Sequence, residues 1–477
     1  MKSLARNSFY NVVYRCLNVL FPLITMSYVA RVLLASGIGE VASATNIATY
    51  FTVLAALGLP TYGTKVIAAC ADKESTNKAF WELITVNFIS TVIFSIAYYT
   101  LVFTHPFFKD QLLLFSVVGL AIVFNAINVD WFYQGKEEYG YITLRSFIIK
   151  ILSLIAIFVF LKSRDDVVIY ALILTLSNVA NYLFNIIHIR KFISWPKNII
   201  DIRPHLKPIL LLLSASIIIE LYTMVGTTLL TFFSQSESVG YFTNSMTIIR
   251  VVRTLVTAVS AVFLPRLSFY YHSGKLSEFQ QLIDKGLKIL FYLTVPTAVG
   301  VCLVANDAVL LLFGDSFYGS IISVRILSLS IITIALSNFI GYQVFITIGR
   351  EKLMVYSTII GATVNIILNV LLISWLDYVG VALASALSEL SVTAYQMYYL
   401  KKLSFLNVHA KYLLKGMGAV VMMSIVILLI QILIEPQILR LVLSVSIGAL
   451  FYIMFTILFK NEIAIQMINI FRAFRKR

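Results

Sequence analysis

The chain reads as an all-α, polytopic membrane protein of about fourteen transmembrane helices. Three observations predict this. Hydrophobic residues fill 60% of the 477 positions and charged residues only 12%, about half the charged share of a soluble domain. The apolar residues gather into fourteen runs of about 17–25 residues, each long enough to cross a bilayer. The basic residues alternate between successive links, rich on one side and sparse on the other.

The fourteen segments are 9–31, 38–59, 82–103, 111–131, 143–162, 167–188, 208–232, 239–264, 285–305, 321–346, 353–375, 378–400, 412–434 and 437–459. No polar stretch between them exceeds a short loop, so no separate soluble domain fits. Of 37 Lys and Arg residues, 27 fall in the termini and links on one side or at the segment ends beside them, and six (Arg31, Lys109, Lys162, Arg164, Arg325 and Arg440) fall in or beside the opposite links. The positive-inside rule then places both termini in the cytoplasm. The net charge of +15 is therefore topological. It suits anionic lipid head groups and gives no ground for a nucleic-acid partner.

The links differ by side. Segments 11 and 12 are joined by little more than Leu376 and Asp377. The inner link 60–80 is longer and amphipathic, and 265–284 reads as a helix lying on the membrane surface. The link 189–207 (IRKFISWPKNIIDIRPHLK) is the most basic and carries prolines. It suggests a first six-helix lobe over 1–189, a cytoplasmic linker over 190–207, a second six-helix lobe over 208–411, and two extra helices with a basic tail over 412–477. A weak internal echo supports two lobes: segment 2 opens GIGEVASATN at Gly37, segment 8 opens VGYFTNS at Val239, and each ends at a proline, Pro60 and Pro265. Such repeats are frequent in transporters.

Charge inside the segments points to function. Arg250 and Arg253 lie near the middle of segment 8, where each costs about 2.5–3.5 kcal/mol to insert. Such a pair faces a water-filled cavity or meets an anion; the alternative is that one or both snorkel to the interface or close an ion pair. Thr243, Thr247, Arg250, Thr254 and Thr257 follow spacings of 4, 3, 4 and 3, which puts them on one helix face. Asn11, Arg15, Asn18, Pro22 and Thr25 repeat that spacing in segment 1. Segment 6 carries Asn178, Asn181, Asn185 and His188. Hydroxyls and amides in membrane helices also act as modest glue between helices, and for segment 6 that reading competes directly. The candidate substrate-binding cations are Arg15, Arg31, Lys65, Arg250 and Arg253. The candidate polar lining is Asn11, Asn18, Thr25, Asn46, Asn178, Asn181, Thr243, Thr247, Thr254 and Thr257. Glu220 and Glu389 sit mid-segment and either pair with an arginine or carry a coupling proton or sodium ion. Asp130 and Glu82 read as interfacial, and Asp307 as plain outer-loop charge.

No catalytic constellation stands out. There is no glycine-rich phosphate loop, no HExxH, and the five histidines are scattered and read as solvated. Cys16, Cys70 and Cys302 lack metal or disulfide spacing. The sequence thus implies no enzyme, no metal and no cofactor. A membrane polymerase or acyltransferase would want long outer loops or a histidine–carboxylate site.

The run from Phe21 to Ala69, the run INVDWFYQGKEEYGYITLRSFIIKILSLIAIFVFLK (127–162) and the run from Leu264 to Phe317 resemble Wzx-type polysaccharide repeat-unit flippases, of the O-antigen and capsule kind. The resemblance covers nearly the whole chain. It implies the fold of the MOP superfamily, with MATE-like six-helix bundles in a V and two added C-terminal helices. It implies transport of an undecaprenyl-pyrophosphate-linked oligosaccharide from inner to outer leaflet through a cationic cavity. A glycan polymerase and a chain-length regulator are the protein partners it implies. Lys65 departs from the pattern: it stands in LPTYGTK where arginine is expected, and keeps the charge but not the planar fork. A cation-coupled multidrug exporter and a lipid II flippase are the alternatives. The excess of arginines over acids in the segments speaks against the exporter.

Overall fold

The computed structural model describes residues 4–196, 200–405, 410–459, 461 and 463–465, with the side chains of 4–20, 215, 219, 221 and 410–415 set aside. Among the described residues every regular element is helical. The helices are α1 (Leu4–Ala56), α2 (Leu59–Ala69), α3 (Lys73–Thr104), α4 (Leu112–Phe124), α5 (Asp130–Gly135), α6 (Tyr139–Phe160), α7 (Val167–Ile189), α8 (Arg203–Phe233), α9 (Ser236–Ala261), α10 (Leu264–His272), α11 (Leu276–Phe313), α12 (Ser320–Ser328), α13 (Ser330–Asn338), α14 (Glu351–Lys402), α15 (Ala410–Leu433) and α16 (Gln437–Leu458).

Ten helices among the described residues are long and apolar enough to cross a membrane, or twelve if two bent pairs each count as one span. Two of them are double length. The 52 residues of α14 would reach about 78 Å as a straight rod, against a hydrocarbon core of about 30 Å. The chain breaks the rod at Asp377 (φ 49°), and breaks α1 likewise at Leu34 (φ 60°). A single residue in the left-handed region suffices to end one span and start the next, as the two-residue link at Leu376 and Asp377 predicts. Counted so, the helices are consistent with fourteen spans. The inner links fold as expected in part: 60–80 becomes α2 and the first turns of α3, while 265–284 divides into α10 and the start of α11.

The described chain divides into two compact units, Met1–Gly240 and Tyr241–Arg477. In the first, α1 is the hub and packs on α3, α4, α6, α7 and α8. Its small residues Ala30, Ala35, Ala44, Ala48 and Ala55 are buried and let those neighbours approach closely, the usual means of helix packing where lipid removes the hydrophobic drive. Compactness groups α8 with this unit through its contacts with α1 and α2; grouping by the basic link put it with the later segments. In the second unit, α11 packs on α12, α13, α15 and α16, and α15 lies along α16. A π-helical stretch, Phe339–Phe345, follows α13. Large apolar side chains such as Ile96, Leu144, Phe160 and Leu371 stand exposed, as lipid-facing positions should.

Candidate functional site

Arg250 and Arg253 stand on α9 with the threonine stripe around them. Arg250 is exposed and Arg253 half-buried. Among the described residues of their own unit, neither guanidinium is engaged in an ion pair. Thr247 donates to the Thr243 carbonyl (3.0 Å), Thr254 to the Arg250 carbonyl (2.8 Å) and Thr257 to the Arg253 carbonyl (2.9 Å). These hydroxyls are satisfied along their own helix. They are not spent on bonds to a neighbouring helix, so the stripe keeps hydroxyl lone pairs and two cationic forks on one side of α9.

The remaining candidates divide by unit. In the first unit, Asn11, Arg15 and Asn18 belong to α1, but their side chains lie outside those described. Arg31 is exposed three residues before the Leu34 break, and Lys65 is exposed on α2. Thr25 is buried and bonds the Phe21 and Pro22 carbonyls (3.1 Å each). Asn46 is buried in a seam with α8: Thr228 donates to its Oδ1 (2.8 Å), and its Nδ2 donates to the Met224 carbonyl (3.3 Å). Tyr50 joins Thr228 at 2.9 Å, and Thr231 bonds Ser43 at 3.0 Å. Asn178 is exposed, while Asn181 is half-buried and accepts from Ser146 (3.3 Å). Glu220 is half-buried with Thr223 at 3.4 Å. In the second unit, Glu389 is half-buried on α14, and its carbonyl accepts from Thr393 (2.9 Å).

Three charged clusters escape the sequence reading. Glu82 is buried: His205 Nε2 lies 2.9 Å from its Oε2, and Tyr62 Oη lies 2.9 Å from His205 Nδ1. His205 is itself buried, against the expectation of a solvated loop histidine. Asp130 joins Arg145 (3.1 Å) and Asn185 (2.6 Å), and Arg145 also donates to Asn185 Oδ1. Asp307 is no surface charge: it is buried in α11 and takes both Nε and Nη2 of Arg440. Each cluster joins residues from different helices, so no spacing along the chain could reveal it.

A second feature of the later unit is an apolar cavity of about 550 Å³ between α11, α15 and α16, lined among others by Tyr292, Pro296, Gly300, Met423 and Tyr452. Among the described residues no group of three or more His, Cys, Asp or Glu side chains is placed to hold a metal ion.

Comparison with known proteins gives the chain a family and a fold. A family described as "Polysaccharide biosynthesis protein" matches residues 4–270. The chain is 24% identical over 404 residues to the "Putative O-antigen transporter" of Escherichia coli (strain K12), covering 84% of this chain and 97% of that one. It is 25% identical over 151 residues to the lipid II flippase MurJ of Bacillus subtilis (strain 168), covering 31% of this chain and 28% of that one. Among solved structures, a lipid II flippase MurJ in an inward closed conformation superposes with a TM-score of 0.76 at 16% identity, over 95% of this chain and 99% of that one. An inward-facing multidrug resistance MATE family transporter of the MOP superfamily gives 0.58 at 16% identity, over 80% and 94%. These two likenesses establish the fold.

Proposed function

The chain belongs to the polysaccharide biosynthesis protein family, as a Wzx-type flippase of the MOP superfamily, and we propose that it carries undecaprenyl-pyrophosphate-linked oligosaccharide repeat units from the inner to the outer leaflet of the bacterial cytoplasmic membrane. It is a multi-pass membrane transporter and not an enzyme; the relatives it resembles are named as transporters and flippases. The substrate, the inner membrane, the cytoplasmic termini and any coupling to protons or sodium belong to the proposal.

One observation carries it: two arginines with no ion-pair partner among the described residues of their unit share one helix with a stripe of hydroxyls. A pyrophosphate bears about two negative charges and cannot enter hydrocarbon without compensation. Two planar guanidinium forks on successive turns match its oxygens, and threonine hydroxyls suit sugar. The prenyl chain needs no polar partner, and the apolar cavity beside α15 and α16 offers a wall of the right chemistry. Movement by alternating access is part of the proposal. Glu220 and Glu389, mid-segment in the sequence, are the acids to which the proposal assigns any ion coupling.

The test is export. Arg250→Ala and Arg15→Ala should abolish surface polysaccharide while the protein still inserts, and Arg250→Lys should retain part of it. Full export in both alanine variants would overturn the cationic cavity. A multidrug exporter would instead show drug sensitivity on deletion with normal surface glycan. A lipid II flippase would be essential for growth.

A further inference from the structure

A cavity of about 650 Å³ opens at the start of α3, against Ser194, Trp195, Pro196 and Ile200. It lies at the face that carries the basic links 60–80 and 190–207. Two tryptophans stand in a lining that is otherwise mostly polar and charged. Trp81 and Trp195 stack with ring centroids 5.4 Å apart and planes 18° from parallel. Trp195 is 81% exposed, so the far face of its indole is bare. That exposure is not a loose loop end. Trp81 Nε1 donates to the Ser194 carbonyl (2.8 Å) and Ser194 N donates to Asn77 Oδ1 (2.8 Å), which clamps the residue before Trp195 from both sides. At the floor, the buried carboxylate of Glu82 is oriented by His205, which Tyr62 holds in turn. Lys73 and Lys78 stand at the rim.

A fixed, bare indole over a pocket of amide, carboxylate and ammonium groups is the chemistry that takes sugars. The ring receives the apolar C–H face of a pyranose, and the polar groups receive its hydroxyls. An apolar ligand would find little to pack on beyond the indoles, because Asp72, Lys73, Glu74, Asn77 and Lys78 line the rest. We propose that this cavity binds the sugar end of a lipid-linked glycan before transport, separately from the arginines of α9. The inference rests on the flippase reading for the source of that sugar, and on the cavity alone for the sugar itself.

The full chain in phosphatidylcholine nanodiscs is titrated with N-acetylglucosamine, galactose, glucuronic acid and rhamnose, and its tryptophan fluorescence is followed. At least one sugar should shift the emission. Trp195→Ala and Asn77→Ala should each weaken that response by about tenfold, and Trp375→Phe should leave it unchanged. No response to any of the four, or an undiminished response in Trp195→Ala, overturns the site. So does quenching of Trp195 by brominated phosphatidylglycerol that no sugar relieves, since Trp195 would then be an anchor in the lipid head groups. Arg250→Ala should keep the sugar response while losing export. Normal export in Arg250→Ala with the sugar response intact would refute the transport cavity and leave this site standing.

Discussion

Gly39 and Gly240 meet backbone to backbone. A methyl placed on Gly39 would fall on the Ser236 carbonyl and stand 3.0 Å from the Gly240 amide nitrogen, and one on Gly240 would fall on the Ala35 carbonyl. The contact is reciprocal. It brings together the two openings that echo each other in the sequence, at a glycine within each. Only a residue without Cβ permits this approach.

Gly39→Ala and Gly240→Ala should therefore each lower stability by about 1–3 kcal/mol, because the obstacle is backbone and cannot rotate away. Gly300, with nothing within 4 Å of an added methyl, is the control: Gly300→Ala should be neutral or slightly stabilising. Thermal unfolding in detergent checks all three. Unchanged melting of Gly39→Ala would show that the contact yields easily.

Arg440 ties α16 to α11 through Asp307, with Nε 3.0 and 2.9 Å from the two carboxylate oxygens. The side chains are unequally buried, 23% exposed for Arg440 and 2% for Asp307. Removing Arg440 strands a buried carboxylate, whereas removing Asp307 leaves a guanidinium that can turn toward water. Arg440→Ala should then cost about 2–3 kcal/mol and Asp307→Ala clearly less, with the double variant close to Asp307→Ala alone. Equal losses in a melting comparison would contradict the asymmetry.

The fold class was legible because a bilayer forces it: apolar runs of span length must be helices, and their order along the chain sets the count. Even the reversal at Asp377 could be placed, since two residues were all that separated two spans. The arginines of α9 were legible for the same reason, because a charge in an apolar run stands out. Glu82, His205, Asp130 and Asp307 were not. Each sits near the end of a span, where charge is ordinary, and what makes it unusual is a partner far away in sequence. Asn46 shows the converse. A polar residue inside a span reads as lining, and only the fold reveals that α8 supplies its partners.

Asp166 caps the link before α7. The backbone amides of Lys162 and Ser163 each donate to its Oδ2 at 2.7 Å, and these bonds hold its carboxyl below the ordinary aspartate value of about 3.8. A depressed folded value means the stabilisation is present above the unfolded value and is lost as pH falls through the folded one. The link should accordingly be unaffected between about pH 5 and pH 8 and loosen only below about 3.8. Hydrogen exchange of the Lys162 and Ser163 amides, corrected for intrinsic rates, reads this directly. Asp166→Asn should raise their exchange at neutral pH, and protection lost already near pH 6 would contradict the assignment.

Arg145, Asp130 and Asn185 form a closed set that joins α5, α6 and α7. Arg145 is 4% and Asp130 28% exposed at the side chain, and Asn185 is fully buried. The guanidinium reaches Asp130 and Asn185 at once, and Asn185 Nδ2 returns a bond to the same Asp130 oxygen. A lysine ammonium is a point charge on a flexible stem and does not reproduce a planar fork serving two acceptors. Arg145→Lys should thus cost about 2 kcal/mol, and Arg145→Met more, because it leaves Asp130 without its counter-charge. If the cluster acts by closing its own charge, Arg145→Met combined with Asp130→Leu should recover most of that loss. If the double variant instead falls as far as the sum of the singles, the two residues act independently and the closed set is not the unit of stability.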